Sequence, residues 1–160
     1  MRLGPAPERA LRFLDGIGAA ADMLRQINWH GRMSVGVMVP LVFKALQEGR
    51  AYFALTDDDR PWGLAVWHWV NHPTHQAWLQ TPPTLQELAT LETAEATDTP
   101  KLWFSLLATP FCASLPLLRL LQEHLPQASE AWAITPYGTG VGADDATLNS
   151  PLPPQARPVW

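Results

Sequence analysis

The alternation of apolar and polar positions changes period several times along this chain, and each change marks an element. After Pro5 and Pro7, the residues Leu11, Leu14, Ile17, Ala21 and Leu24 recur at helical spacing, which predicts an amphipathic helix weakened locally by Gly16 and Gly18. Ser34 can cap a second helix reaching about Gln47, with Val35, Met38, Val42 and Leu46 as its apolar stripe; Pro40 should kink it. The period then shortens. Residues 51–56 and 62–70 are rich in aromatic and β-branched residues, and the polar run Asp57-Asp58-Asp59-Arg60-Pro61 between them predicts a hairpin turn.

Residues 71–83 read as loop or irregular strand. Leu85, Leu88 and Leu91 predict a short helix over 84–93, followed by a Glu/Thr-rich connector. The nearly unbroken apolar run 101–108 is expected to be a strand buried on both faces and ended by Pro110. Ser114 then opens a Leu-rich helix as far as Leu125, and residues 131–134 give another short strand. Helix, helix, hairpin, helix, strand, helix, strand is the order of an α/β (α+β) fold, a sheet sandwiched by helices. One domain is expected over 1–136, with a Gly/Pro-rich, loosely ordered tail over 137–160.

Composition fits that picture. With 160 residues, 47% of them hydrophobic and 16% charged, the chain suits one globular core. Its longest apolar runs, 35–43 and 102–108, fall far short of the roughly 20 residues that span a bilayer, and Glu8 and Asp15 interrupt any secretory-signal pattern. A cytoplasmic protein is expected. The single cysteine, Cys112, excludes an internal disulfide and a thiolate metal cage, and is expected to pack as a small residue. Net charge is −4, but residues 1–50 hold seven Lys/Arg against four Asp/Glu while the remainder holds four against eleven. A positive N-terminal part on an acidic chain allows an anionic partner there. An acidic chain without a basic-aromatic motif argues against nucleic-acid binding.

Candidate chemistry centres on histidines. His30 lies in Asn28-Trp29-His30-Gly31-Arg32, a polar bend ahead of a helix, where an imidazole can face a cleft. His68, His72 and His75 have spacing that suits metal binding on one helix, but residues 67–70 read as strand and Pro73 opposes a continuous helix, so no metal site is expected. Asp57, Asp58 and Asp59 are expected to be turn residues.

Three landmarks in order carry a family resemblance. Ala51-Tyr52-Phe53-Ala54-Leu55-Thr56 with its turn and the strand ending Ala65-Val66-Trp67 resembles the first hairpin of the RTX-toxin-activating lysine acyltransferases. Lys101-Leu102-Trp103-Phe104, followed after five residues by Pro110-Phe111, is similar to that family's central strand and following loop. His30 precedes Tyr52 by 22 positions, close to the family's separation of its catalytic His from the first-strand Tyr.

The resemblance covers roughly residues 8–136. It implies a GNAT-like central mixed sheet flanked by helices, and transfer of a fatty acyl group from acyl carrier protein to a side-chain amine, lysine or ornithine, of a protein or ribosomal peptide. No cofactor would be bound; the phosphopantetheine thioester of the carrier would be a co-substrate.

On that resemblance His30 becomes the general base that deprotonates the amine. Phe104, Ser105, Leu106 and Leu107 are where backbone groups would polarise the acyl carbonyl. Arg25, Arg32, Lys44 and Arg50 are candidates for contacting the acidic carrier, and Trp67 and Trp103 for lining the acyl pocket, with Trp62, Trp69 and Trp78 as further candidates. The absence of glycine in Pro110-Phe111-Cys112-Ala113-Ser114 favours a carrier protein over coenzyme A. Relatives often form dimers, and the apolar residues 62–70 offer an interface for a homodimer.

One departure stands out. The family carries an Asp two residues after Trp-Phe, where this chain has Leu106, which accepts no hydrogen bond. Loss of an orienting acid can cost orders of magnitude in rate. The alternative reading is therefore a catalytically degenerate homologue that binds a peptide or a carrier protein without transferring anything. If the strand alternates regularly, Ser105 faces opposite to Leu106.

Overall fold

A computed structural model describes residues 2–5, 13–25, 35–91, 100–109, 114–135 and 155–160. Along the chain these form β1 (Arg2–Pro5), α1 (Phe13–Arg25), α2 (Val35–Gln47), β2 (Ala51–Leu55), β3 (Pro61–Val70), α3 (His72–Gln80), α4 (Leu85–Thr90), β4 (Lys101–Ala108), α5 (Ser114–His124), β5 (Ala131–Thr135) and β6 (Gln155–Pro158). The strands make one mixed sheet in sequence order, β1-β2-β3-β4-β5-β6. All neighbours are antiparallel except β4 and β5. That parallel join is allowed because α5 crosses over between the two strands. The expected mixed sheet flanked by helices is therefore the fold.

Each sheet face has its own core. Ala51, Phe53, Leu64, Val66, Leu106 and Ala108 pack beneath Ala20, Met23 and Leu24 of α1 and Met38, Val42 and Ala45 of α2. The opposite face carries Ala54, Ala65, Trp67, Leu102, Phe104, Ala131 and Ala133 against Leu117, Leu121 and Leu125 of α5. A third cluster joins Leu41, Val70, Trp78, Leu88, Trp103 and Ile134 under α3 and α4. No helix among the described residues is long and apolar enough to cross a membrane.

Local chemistry accounts for the boundaries. The α2 helix runs through Pro40; Gly36, whose carbonyl loses its partner there, is exposed and can bond water instead. It ends at Gly49, whose φ of 66° is the left-handed conformation that closes helices. Gly49 N–H then reaches the Leu46 carbonyl at 3.3 Å and Arg50 N–H reaches that of Ala45 at 2.7 Å. The hairpin turn closes as expected, with Thr56 N–H on the Arg60 carbonyl at 2.9 Å, Asp59 N–H on that of Thr56 at 3.0 Å, and an Asp58–Arg60 ion pair across it. Thr84 and Glu87 form a reciprocal capping box at the start of α4.

Several expectations are corrected. Residues 72–80 are helix, not loop. Pro73 sits in the first turn, where its missing N–H is not needed, and the Asn71 side chain accepts from Thr74 N–H at 2.9 Å to cap that end. The C-terminal residues rejoin the domain: β6 pairs with β5, and Ala131 exchanges backbone bonds with Val159 and Trp160 at 2.9 and 3.1 Å. A domain boundary at 136 therefore does not separate 155–160 from the sheet. The apolar strand β3, considered as a dimer face, is an interior strand paired on both edges by β2 and β4, so it has no free edge to pair with a second copy.

Candidate functional site

Strand β4 is the centre of the sheet and it is irregular. Opposite β3, Trp67 pairs with Phe104 but Val66 pairs with Leu106, so Ser105 is an inserted residue, a β-bulge. Its hydroxyl donates to the Val66 carbonyl at 3.2 Å. The bulge breaks the regular alternation expected of the strand. Trp103 and Leu106, three residues apart, belong to clusters on the same sheet face, whereas Phe104 and Leu107 belong to the other.

On the far side, β4 and β5 pair only through Leu102–Ala131, Trp103–Trp132 and Phe104–Ala133. Beyond Phe104 the pairing stops although both strands continue. Among the described residues, no strand lies against the β5-side edge of residues 105–108. Unpaired backbone at a sheet's centre offers N–H donors to a carbonyl oxygen gaining charge. Gly63 helps hold this end of β4 close: a Cβ there would stand 3.2 Å from Thr109 Cγ2 and 3.3 Å from Ala54 Cβ.

The expected residues are distributed unevenly around this point. Phe104, Ser105 and Leu106 are buried and Leu107 half-buried, all at the bulge. Leu106 joins the apolar cluster of Met23 and Leu24, near the end of α1, and Met38 in the first turns of α2. Those residues flank the 26–34 connection on both sides. His30 and Arg32 lie in that connection, outside the described residues, and Cys112 lies outside them as well.

The proposed cations differ from one another. Arg25 is exposed on α1 and bonded to Asp22 at 3.0 Å. Lys44 donates to the Leu91 carbonyl, tying α2 to the end of α4. Arg50 is not a surface cation at all: it is 5% exposed. Its guanidinium bonds Glu48, the Trp67 carbonyl and His68 Nδ1, the last at 3.1 Å.

The two pocket tryptophans are separated by the sheet. Trp67 packs on the α5 face, with Tyr52 edge-on at 4.9 Å. Trp103 packs on the other face with Trp78 at 5.3 Å and Trp132 at 5.8 Å, and its indole N–H donates to His75 Nδ1 at 3.1 Å. One acyl pocket on a single face of the sheet cannot include both side chains.

No family model matches this sequence, and no curated protein matches it. The site must therefore be read from its own chemistry.

Sequence reasoning weighed His68 and His75 only as metal ligands and missed that the fold buries both. His68 is 4% exposed. Because a guanidinium only donates, its bond fixes Nδ1 as acceptor and puts the proton on Nε2. Among the described residues that buried Nε2 has no hydrogen-bond partner. Burial, and then the Arg50 charge, push the His68 pKa down to about 3, so the ring is neutral at ordinary pH. His75 is shifted the same way, chiefly by burial. The signal for His68 was present in the sequence, since it falls in phase with Leu64, Val66 and Val70 along β3. Its partner Arg50 was not deducible, lying 18 positions away on a turn. Among the described residues, no group of three or more His, Cys, Asp or Glu could hold a metal ion.

Proposed function

We propose that the chain is an N-acyltransferase that moves a fatty acyl group from acyl carrier protein to a lysine or ornithine side-chain amine of a protein or ribosomal peptide. The observation that carries this reading is the parting of β4 from β5 after Phe104 and Ala133, with the bulge at Ser105 on the other edge. A thioester carbonyl set in that opening would meet backbone donors of residues 105–108 and lie beside the face carrying the ends of α1 and α2.

In this reaction the acceptor enters as the neutral amine, having released its ammonium proton to solvent; its nitrogen bonds to the acyl carbon, the imidazole of His30 takes one proton from that nitrogen, and the C–S bond breaks. The imidazolium returns its proton to the departing thiolate, so charge balances within the site. Arg25, Arg32 and Lys44 would face the acidic carrier, and the reading places the protein in the cytoplasm, where charged carriers are found. Arg50 is left out because its charge is spent internally.

A second reading has its own support. Leu106, at the position of the family's acid, is 2% exposed in an apolar cluster, so no carboxylate from β4 orients the imidazole. A degenerate homologue that holds a peptide or carrier without transfer fits that environment. Incubating the protein with fatty-acyl carrier protein and lysine- or ornithine-containing peptides, and measuring intact peptide mass, separates the two. A fatty-acyl mass gain that vanishes in His30→Ala supports transfer; peptide binding with no mass gain supports the degenerate reading.

A further inference from the structure

A cleft of about 570 Å³ opens on the α5 face, lined by Glu48, Arg50, Tyr52, Trp67, Trp69 and His124 among others. It lies away from the parted strands. Trp67 and Trp69 pair with Phe104 and Leu102, toward the start of β4, whereas the parting begins after Phe104.

The sign of the cleft's surface follows from which charge is on top. Arg50 and Glu48 form an ion pair, but the Arg50 side chain is 6% exposed and that of Glu48 is 31% exposed. Arg50 also spends donors on the Trp67 carbonyl and His68 Nδ1. A ligand in the cleft therefore meets the carboxylate end of this ion pair before the guanidinium. The wall opposite is the end of α5, where residues 124, 125 and 127 reach the cleft and helix carbonyls carry partial negative charge. Aromatic rings complete the lining. Tyr52 stands at 74° to Trp67 and at 90° to His124; Trp67 is buried, so the rings a ligand can reach are those of Tyr52 and Trp69, which are half-buried, and of His124, which is exposed. Aromatic faces, a surface carboxylate and a helix C-terminus all favour positive charge.

We propose that this cleft binds an organic cation, an alkylammonium or guanidinium group, offered either by a free amine or by a basic side chain of a peptide. The inference stands apart from acyl transfer, since it uses neither His30 nor the backbone of residues 105–108.

Titration of the full chain at about pH 8, followed by tryptophan fluorescence and by calorimetry, tests it. The probes are butylammonium, agmatine and a capped lysine tripeptide, against butanol, a capped norleucine tripeptide, butyrate and butyl phosphate. The expected result is roughly fivefold or greater preference for each bound cation over its neutral isostere, reduced by a similar factor in Trp69→Leu. Binding of free amines identifies a small-molecule site, and binding of the lysine peptide alone identifies a peptide site; both support the proposal. Equal or tighter binding of the neutral or anionic probes overturns it on the wild-type protein alone. Unchanged cation affinity in a folded Trp69→Leu variant also overturns it, as does the absence of any cation binding at millimolar concentration.

Discussion

The buried His68 makes a quantitative claim about acid stability. It is 4% exposed, its Nδ1 accepts from Arg50, and its folded pKa is about 3 against 6.5 for the unperturbed group. Between those values the unfolded chain binds a proton that the folded chain refuses, so stability must fall as pH falls. Above pH 6.5 the contribution is fully present. At pH 5 one group of this kind gives a slope of about 1.4 kcal/mol per pH unit, and between pH 6.5 and 4.5 it removes about 2 kcal/mol. The His68→Asn variant isolates the effect, because the amide oxygen can stand near the position of Nδ1 and accept from Arg50 without titrating. Urea unfolding of both proteins at half-unit steps from pH 7.5 to 4.5 gives the two curves. His75 and the carboxylates contribute to both and cancel in the difference. The wild-type curve should fall more steeply by about one proton near pH 5. Parallel curves would refute the burial and tautomer assigned to His68.

Two further outcomes follow from the same packing. Trp160 sets its ring edge-on to Phe104 at 5.5 Å and is half-buried, so Trp160→Ala should cost about 2 kcal/mol in urea unfolding, below the range for a fully buried Trp; a neutral result would mean that this ring adds nothing to the packing on Phe104. Leu106→Asp places a carboxylate in the cluster of Met23, Leu24 and Met38 and should cost about 3–5 kcal/mol, part of which returns if His30 pairs with it. A double-mutant cycle with His30→Ala reads that pairing as a coupling above about 1 kcal/mol, and zero coupling would separate His30 from this face of the sheet.

What could be read from the sequence was local. The stripes of α1 and α2, the polar turn between β2 and β3, the Leu85–Leu88 spacing of α4 and the apolar run of β4 each hold their signal within a few residues, and the fold keeps them. The misses come from two sources. Pro73 was given the weight of a helix breaker when its position in a first turn makes it compatible with one. β1 and β6 are four residues each and hold no periodicity of their own; pairing with β2 and β5 makes them strands. The site divides in the same way. β4 was recognisable as the central strand, but the bulge at Ser105 is a property of register against β3, which no run of residues announces.

That bulge also governs how an imidazole from the α1–α2 connection could be served. Without it, strict alternation from Trp103 would carry Ser105 and Leu107 to the α1/α2 face and leave Leu106 on the α5 face. With it, Leu106 and Ala108 occupy the α1/α2 side, in the cluster of Met23, Leu24 and Met38. An acid at this position would stand near the ends of α1 and α2, but the side chain there is apolar. Ser105 is a poor substitute, because its proton is committed to the Val66 carbonyl at 3.2 Å. Under the acyl-transfer reading, the tautomer of His30 must then be fixed by a backbone carbonyl or a water, which holds orientation but contributes no negative charge to stabilise the imidazolium. A base of that kind gains less from the protein as it becomes charged, and transfer through it should be slower than through an imidazole backed by a carboxylate.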